Sequence, residues 1–341
     1  MPNLETCSHL DQCGGCPVFG IAHDEQLNKK KQWIERMFDR EVDEVIPSPR
    51  IFGYRARVSM KLSSNGELCY TKRGTNQLFP VSNCVVARTE IQQAIQALPK
   101  LHKDVNSVEF RSNGDQVFLS FSTLKGRSKV AKRSLRELNY EALGVAGASV
   151  DGKRIYGPLK MSLVAGGVVH EISGGGFYQV NLEINDLLVE RIKEQVLRLN
   201  PTKLLDLFSG SGNLSLPLAK QGVDCTLWES NPNSVSDGKA NIARLGLSTE
   251  LNKRNAFRFQ PGDEFFDVAL LDPPRGGAKG VLASLTLTRP KAIIYVACSP
   301  TSLARDLKEA KKAGYKLTSL TILDMFPQTE QCELLAVIQP G

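Results

Sequence analysis

The pattern of apolar positions changes character near residue 175. Between Tyr54 and about Gly167, short runs such as "RARVSMKLS" and "QVFLSFST" alternate apolar and polar residues and are bounded by Asn, Gly or Ser. Alternation with period two marks strands with one buried face, so this stretch reads as a small β-rich α+β domain with a few helices, one near Arg88 to Ala97. After "SGGGFYQVN" the runs differ. Ile184, Leu188, Ile192 and Val196 fall four apart and form one helical stripe over 183–199, which "NP" at 200–201 ends. Four apolar runs follow, "KLLDLF", "DCTLWE", "DVALLD" and "AIIYVA", separated by helical stretches. Apolar strands alternating with helices predict a parallel sheet covered on both faces, a doubly wound α/β domain. Ahead of both regions, Leu27, Trp33, Ile34 and Met37 predict an amphipathic helix from Asp24 to Arg40, and Pro47 and Pro49 break the chain behind it. The expected domains are therefore 1–50, a cysteine-bearing loop with a helix that could pack on the C-terminal domain, then 51–170, then 171–341.

Composition narrows the class. A chain of 341 residues has room for two or three domains, and 41% hydrophobic with 23% charged residues is ordinary for a globular protein. No stretch approaches the ~18 apolar residues of a membrane span. The N-terminus lacks the basic patch and apolar run of a signal peptide, so a cytoplasmic location and a monomer are the expectations. The net charge of +7 suits an anionic partner. Its distribution says more than its sum. Lys125, Arg127, Lys129, Lys132, Arg133 and Arg136 occur in "KGRSKVAKRSLR" without an acid, Lys29, Lys30 and Lys31 lie on the predicted helix, and Arg55, Arg57 and Lys61 lie on a predicted strand. Any one group alone could be a solvated surface; three together favour a phosphate-binding face.

Candidate chemistry gathers at the ends of the predicted strands, where open α/β sheets bind ligands. In "LLDLFSGSGN" a strand bearing Asp206 runs into a turn with Gly210 and Gly212, and about twenty residues on the next strand ends in Glu229, placed to accept hydrogen bonds from ribose hydroxyls. A nucleotide-like cofactor is indicated. The third glycine of the dinucleotide fingerprint is missing, which makes a dehydrogenase a weak reading. "DPPR" puts Asp272 on a stiff corner, and "YVACSP" ends a strand with the thiol of Cys298, where a nucleophile is expected. Glu330 and Glu333 precede the terminal apolar run, and sequence physics alone does not choose between them.

Cys7, Cys13 and Cys16 are separated by five and then two residues. In a reducing compartment such a cluster points to metal rather than disulfides. Cysteine-only ligation suits zinc or iron–sulfur, and only Cys13 and Cys16 have zinc-knuckle spacing. His9 and His23 read as solvent-exposed loop histidines, and Cys69, Cys225 and Cys332 as core cysteines.

Taken in order, "FYQVN", "DLFSGSGN", "DPPRGG", "YVACSP", "DMFPQTEQCE" and the N-terminal cysteines resemble the RNA uracil-5-methyltransferase family, over nearly the whole chain. That resemblance implies a Rossmann-like class I methyltransferase domain, a β-rich central RNA-binding domain, S-adenosylmethionine as methyl donor, and RNA as partner. 23S ribosomal RNA is favoured over transfer RNA. It implies Cys298 as nucleophile and Glu333, in the "MFPxTxxxE" frame, as general base. Gln179, Phe208, Asn213, Glu229 and Asp272 match positions lining the methyl-donor and uracil pocket, and Asn255 matches less securely. Cluster-bearing members hold a [4Fe-4S] centre with four cysteines, here Cys7, Cys13, Cys16 and Cys84. The β-barrel domain that precedes the cluster in some relatives is expected to be absent. Two other classes compete. A methyltransferase acting on exocyclic amines needs an aromatic residue where Arg275 stands, and a non-catalytic iron–sulfur RNA-binding protein would need neither Cys298 nor Glu333.

Overall fold

A computed structural model describes residues 7–126 and 128–341. The chain forms two units, one comprising residues up to Ile21, Arg50–Ser162 and Val180–Leu182, the other Ala22–Pro49, Leu163–Gln179 and Glu183–Gly341. Helix α1 (His23–Phe38) and strand β1 (Glu44–Ile46) belong to the second.

The first unit is built on a seven-stranded sheet. Its elements run β2 (Arg57–Leu62), β3 (Leu68–Thr71), β4 (Leu78–Pro80), α2 (Thr89–Ala97), β5 (Val105–Ser112), β6 (Val117–Thr123), α3 (Ser128–Arg136), β7 (Val145–Val150) and β8 (Lys153–Tyr156). The strand order is β4-β3-β2-β5-β6-β7-β8. All neighbours are antiparallel except β6 and β7, which α3 connects as a parallel crossover. In β2 the period-two pattern turns Val58, Met60 and Leu62 inward, where they join Phe110, Leu119 and, from α2, Ile91 and Ile95 in one core.

Strands β9 (Lys160–Ala165) and β10 (Val168–Ser173) pair as a ribbon. The second unit then continues through α4 (Leu182–Leu199), β11 (Lys203–Leu207), α5 (Leu216–Lys220), β12 (Asp224–Glu229), α6 (Pro232–Leu245), β13 (Glu250–Lys253), β14 (Val268–Leu271), α7 (Val281–Leu287), β15 (Ala292–Ala297), α8 (Pro300–Lys312), β16 (Tyr315–Leu323) and β17 (Glu333–Pro340). Its eight strands lie in the order β1-β16-β17-β15-β14-β11-β12-β13. β17 alone is antiparallel to its neighbours β15 and β16, and the remaining pairs with a described register are parallel. Every residue of β14 and β15 is buried. Alternate residues enter different cores, Leu205, Ala269, Leu271 and Ile293 on one face, Leu204, Val268, Leu270 and Ile294 on the other. That two-sided burial is why these strands read as continuous apolar runs.

Helix α1 departs from its predicted pattern. Its fully buried residues are Gln26, Lys30 and Ile34, so the inward stripe is largely polar. Lys30 is only 3% exposed and pairs with Asp324, while Lys29 and Lys31 pair with Glu25 and Glu35. Lys30 is therefore not part of the open phosphate-binding group the sequence run suggested, while the side chains of Lys29 and Lys31 stay solvent-accessible beside their carboxylate partners.

Candidate active site

The carboxyl ends of β11, β12, β14 and β15 bring the predicted groups of the second unit together. After β11 the backbone enters the left-handed region at Phe208 (φ 65°), Gly210 (φ 58°) and Gly212 (φ 89°). Two of the three are glycines, which adopt it without penalty; a phenylalanine held there is a local strain of the kind found beside ligand sites. Glu229, the last residue of β12, fixes this turn. One carboxylate oxygen accepts the Gly210 N–H at 2.9 Å, and the other accepts the N–H groups of Ser230 and Asn231 at 2.6 Å each. Phe208 meets Phe257 edge-on at 5.0 Å. Asn255 is exposed and caps the short turn Ala256–Arg258 through Phe257 N–H at 3.0 Å. Asn213 forms a reciprocal amide pair with Asn185 of α4, at 2.8 and 3.0 Å. Asp206 is fully buried on β11; desolvation pushes its carboxyl up to about 8, the Ser215 hydroxyl opposes the shift, and the charges of Asp272 and Glu229 add to it.

Asp272 directly follows β14, Cys298 directly follows β15, and Glu333 opens β17. The last antiparallel pair between β15 and β17 is Ala297 with Leu334, so one further step in register leads to Cys298 and Glu333. Gln179 donates its amide to Asp272 at 3.4 Å. Burial raises both carboxyls, and the charge of Asp272 raises Glu333 further. Burial also pushes the Cys298 thiol up to about 11, with Glu333 and Asp272 adding to the effect and Arg275 opposing it. Ser299, the next residue, caps α8, so the thiol stands at a helix N-terminus, where the dipole favours a thiolate. The loop carrying Asp272 and Arg275 is tied to α8: Ser302 Oγ donates to the Arg275 carbonyl at 2.9 Å, and Ala278 N–H donates to the buried Asp306 at 2.7 Å. An acid, a thiol and a second acid of raised basicity gathered at neighbouring strand ends can add a nucleophile to a substrate and then remove a proton from it.

In the first unit, Cys7, Cys13, Cys16 and Cys84 line one cavity of about 700 Å³ together with Arg55 and Tyr70. Burial pushes Cys16 up to about 12, and the other three thiols add to the shift while Arg55 opposes it. Among the described residues no three His, Cys, Asp or Glu side chains are grouped to hold a single metal ion. The four thiols thus share one cavity, with the Arg55 guanidinium beside them. Neither histidine matches its expected open-loop setting. His9 has a buried Nε2 without a partner and packs its ring against Phe79 at 5.8 Å, and His23 begins α1, 2.8 Å from Asp324. Cys69, Cys225 and Cys332 are buried, as core cysteines should be.

The residues missed in the sequence are His23, Gln26 and Lys30, which bond the segment leading to Glu333. Their signal was the recurrence of polar residues at 23, 26, 30 on the face of Ile34, a pattern that on most helices marks solvent.

The second unit is thus a doubly wound α/β sheet in which β17 alone runs antiparallel, between β15 and β16, with a glycine turn after β11 and the candidate groups at its strand ends. The chain belongs to the tRNA (uracil-5-)-methyltransferase family, whose model matches residues 22–339. It is 31% identical to the 23S rRNA (uracil(1939)-C(5))-methyltransferase RlmD of Cronobacter sakazakii over 99% of this chain and 83% of that protein. An uncharacterized RNA methyltransferase of Aquifex aeolicus is 27% identical over 98% and 83%. Among solved structures, the Pyrococcus abyssi tRNA (uracil-54, C5)-methyltransferase in complex with S-adenosyl-L-homocysteine shares the fold, with a TM-score of 0.79, 23% identity, and coverage of 95% of this chain and 86% of that one.

Proposed function

We propose that this protein methylates carbon 5 of a uridine in 23S ribosomal RNA through a covalent intermediate between Cys298 and uracil, resolved by Glu333. The observation that carries the reading is the β15–β17 register, which leads one step on to Cys298 and Glu333, a thiol and a buried acid of raised basicity, with the charge of Asp272 acting on both. Carbon 5 of uracil is a poor nucleophile. Addition of the Cys298 thiolate to carbon 6 converts the ring to an enolate and makes carbon 5 electron-rich. S-adenosylmethionine supplies an electrophilic methyl group. Once carbon 5 carries the methyl, Glu333 takes the remaining proton there, the carbon 5–carbon 6 double bond re-forms, and the thiolate leaves. Asp272 and Gln179 hold the uracil edge or the donor, and Arg275 or a backbone N–H balances the enolate oxygen. Glu229 meets the donor's ribose, Phe208 and Asn255 its base, and Asn213, committed to Asn185, fixes the glycine turn.

The named 23S rRNA relatives support the ribosomal target. Charge supports RNA binding by the first unit, which carries 19 Lys and Arg against 10 Asp and Glu, net +9, while the remainder of the chain has 24 against 26, net −2. A duplex-embedded uracil has to be extruded to reach the thiol, and a basic neighbouring unit that grips phosphates suits that step. Nucleoside mass spectrometry of 23S rRNA and tRNA from cells with and without the gene tests the target: one or more 5-methyluridines should vanish from 23S rRNA. Loss confined to tRNA would move the target there, and loss of no 5-methyluridine would contradict the reading.

Cys7, Cys13, Cys16 and Cys84 are proposed to hold a [4Fe-4S] cluster that ties the N-terminal loop to the first unit; with four thiolate ligands it offers no open iron to the reaction. Anaerobically purified protein should be brown, and Cys13→Ser should lose most of its iron and bind RNA at least about tenfold more weakly, since the ligand loop anchors the basic unit. Colourless protein with one bound zinc would contradict the cluster.

A further inference from the structure

Between β16 and β17 lie nine residues, 324–332, that behave unlike an ordinary connection. Loops run over the surface because their backbone polar groups need water. Here Asp324, Met325 and Cys332 are 0% exposed and Gln328 is 2% exposed. The partners water would supply come from α1. Gln26 accepts the Gln328 N–H at 2.9 Å and donates to the Gln328 side-chain oxygen at 3.2 Å. Lys30 donates to the Phe326 carbonyl at 3.1 Å and to Asp324 at 2.5 Å, and His23 meets the other Asp324 oxygen at 2.8 Å. Gln328 is held in the left-handed region at φ 65°, which a glutamine does not prefer. His23, Gln26 and Lys30 recur at three- and four-residue spacing, so one helix face presents all of them. Five residues past Gln328 the chain reaches Glu333, which pairs with Leu323 at the start of β17.

We propose that the polar face of α1 is a positioning device for Glu333. His23, Gln26 and Lys30 hold the first half of the 324–332 segment, at Asp324, Phe326 and Gln328, and so fix the depth and direction from which the Glu333 carboxylate meets the proton on carbon 5. The inference rests on Glu333 being the base of the proposed reaction. Asp324, Met325, Gln328 and Thr329 are buried, although Glu330 and Gln331 reach solvent, so water cannot replace a lost α1 partner in this half of the segment and removing one contact shifts the carboxylate that follows. Misplacement of a reacting group by about 1 Å costs up to ~10²-fold in rate. The thiol lies at a different strand end, directly after β15, and none of the α1 hydrogen bonds described above involves it.

The test separates the two chemical steps in the full-length protein. Gln26→Leu removes the amide pair; the double variant Lys30→Met with Asp324→Asn removes the buried ion pair without leaving a lone charge, and reads the proposal if the first variant fails to fold. With RNA containing 5-fluorouridine, which stops at the adduct, both variants should form the protein–RNA adduct within about twofold of the native rate. With ordinary uridine RNA in single turnover, the methylated adduct should persist and its release should slow by roughly 10–100-fold. Release at the native rate, or equal slowing of adduct formation and release, would overturn the proposal. Glu333→Gln is the control: if that variant also releases at the native rate, the base assignment fails and the positioning role falls with it, whereas accumulation in Glu333→Gln but not in the α1 variants removes the positioning role alone.

Discussion

Cys298→Ala should form no adduct with 5-fluorouridine RNA and should lose methyl transfer by roughly 10⁴–10⁶-fold, the range seen when a covalent nucleophile is deleted. The substitution removes one sulfur from the end of a strand, and the neighbouring Ala297 is already accommodated there, so folding and donor binding should survive. Gel-shift with denaturation reads the adduct, and differential scanning fluorimetry with and without S-adenosylhomocysteine reads the fold. The environment of the thiol adds a pH signature. Burial and the two acids push Cys298 up to about 11, so at neutral pH the thiolate is a small fraction of the free protein. Below that value the fraction rises nearly tenfold per pH unit, so adduct formation should accelerate from pH 6 to pH 9. A rate independent of pH across that window would mean that another group already holds the thiol proton.

Glu333→Gln should do something different. The first two steps need no base at carbon 5, so the methyl group is transferred once and the product stays attached to Cys298. Turnover should fall by roughly 10²–10⁴-fold, the usual contribution of a general base. A methylated RNA–protein adduct should build to near one equivalent. Burial and Asp272 both raise Glu333, which makes its carboxylate a stronger base once ionised than an exposed glutamate is. Normal turnover in Glu333→Gln would transfer the role to another acid. Glu330 is the sequence alternative, but it is exposed and lies three residues before the buried end of β17.

Much of this was legible in the sequence because burial on two faces leaves a clear trace. β12 and β15 fall on "DCTLWE" and "AIIYVA", since the four interior residues of the first and all six of the second are buried on both faces. Cys298, Asp272 and Glu229 stood out as polar residues at the ends of such runs. The relation between Cys298 and Glu333 was not legible: it arises because β17 inserts antiparallel between β15 and β16, a pairing over more than thirty residues that no local pattern encodes. The role of α1 was hidden for the opposite reason. Gln and Lys on a helix normally mark solvent, and only the mostly buried stretch 324–329, with backbone groups to satisfy, makes an inward polar face favourable. Asn213 was readable as part of the glycine turn, but its pairing with Asn185 depends on where α4 packs.

The most direct measurement is protease digestion and mass spectrometry of the adduct trapped with 5-fluorouridine RNA and S-adenosylmethionine. A methylated 5-fluorouridine attached to the peptide containing Cys298 is the predicted result. The same nucleotide on any of the other seven cysteines, or methylated RNA with no adduct at all, would contradict methyl transfer through this thiol.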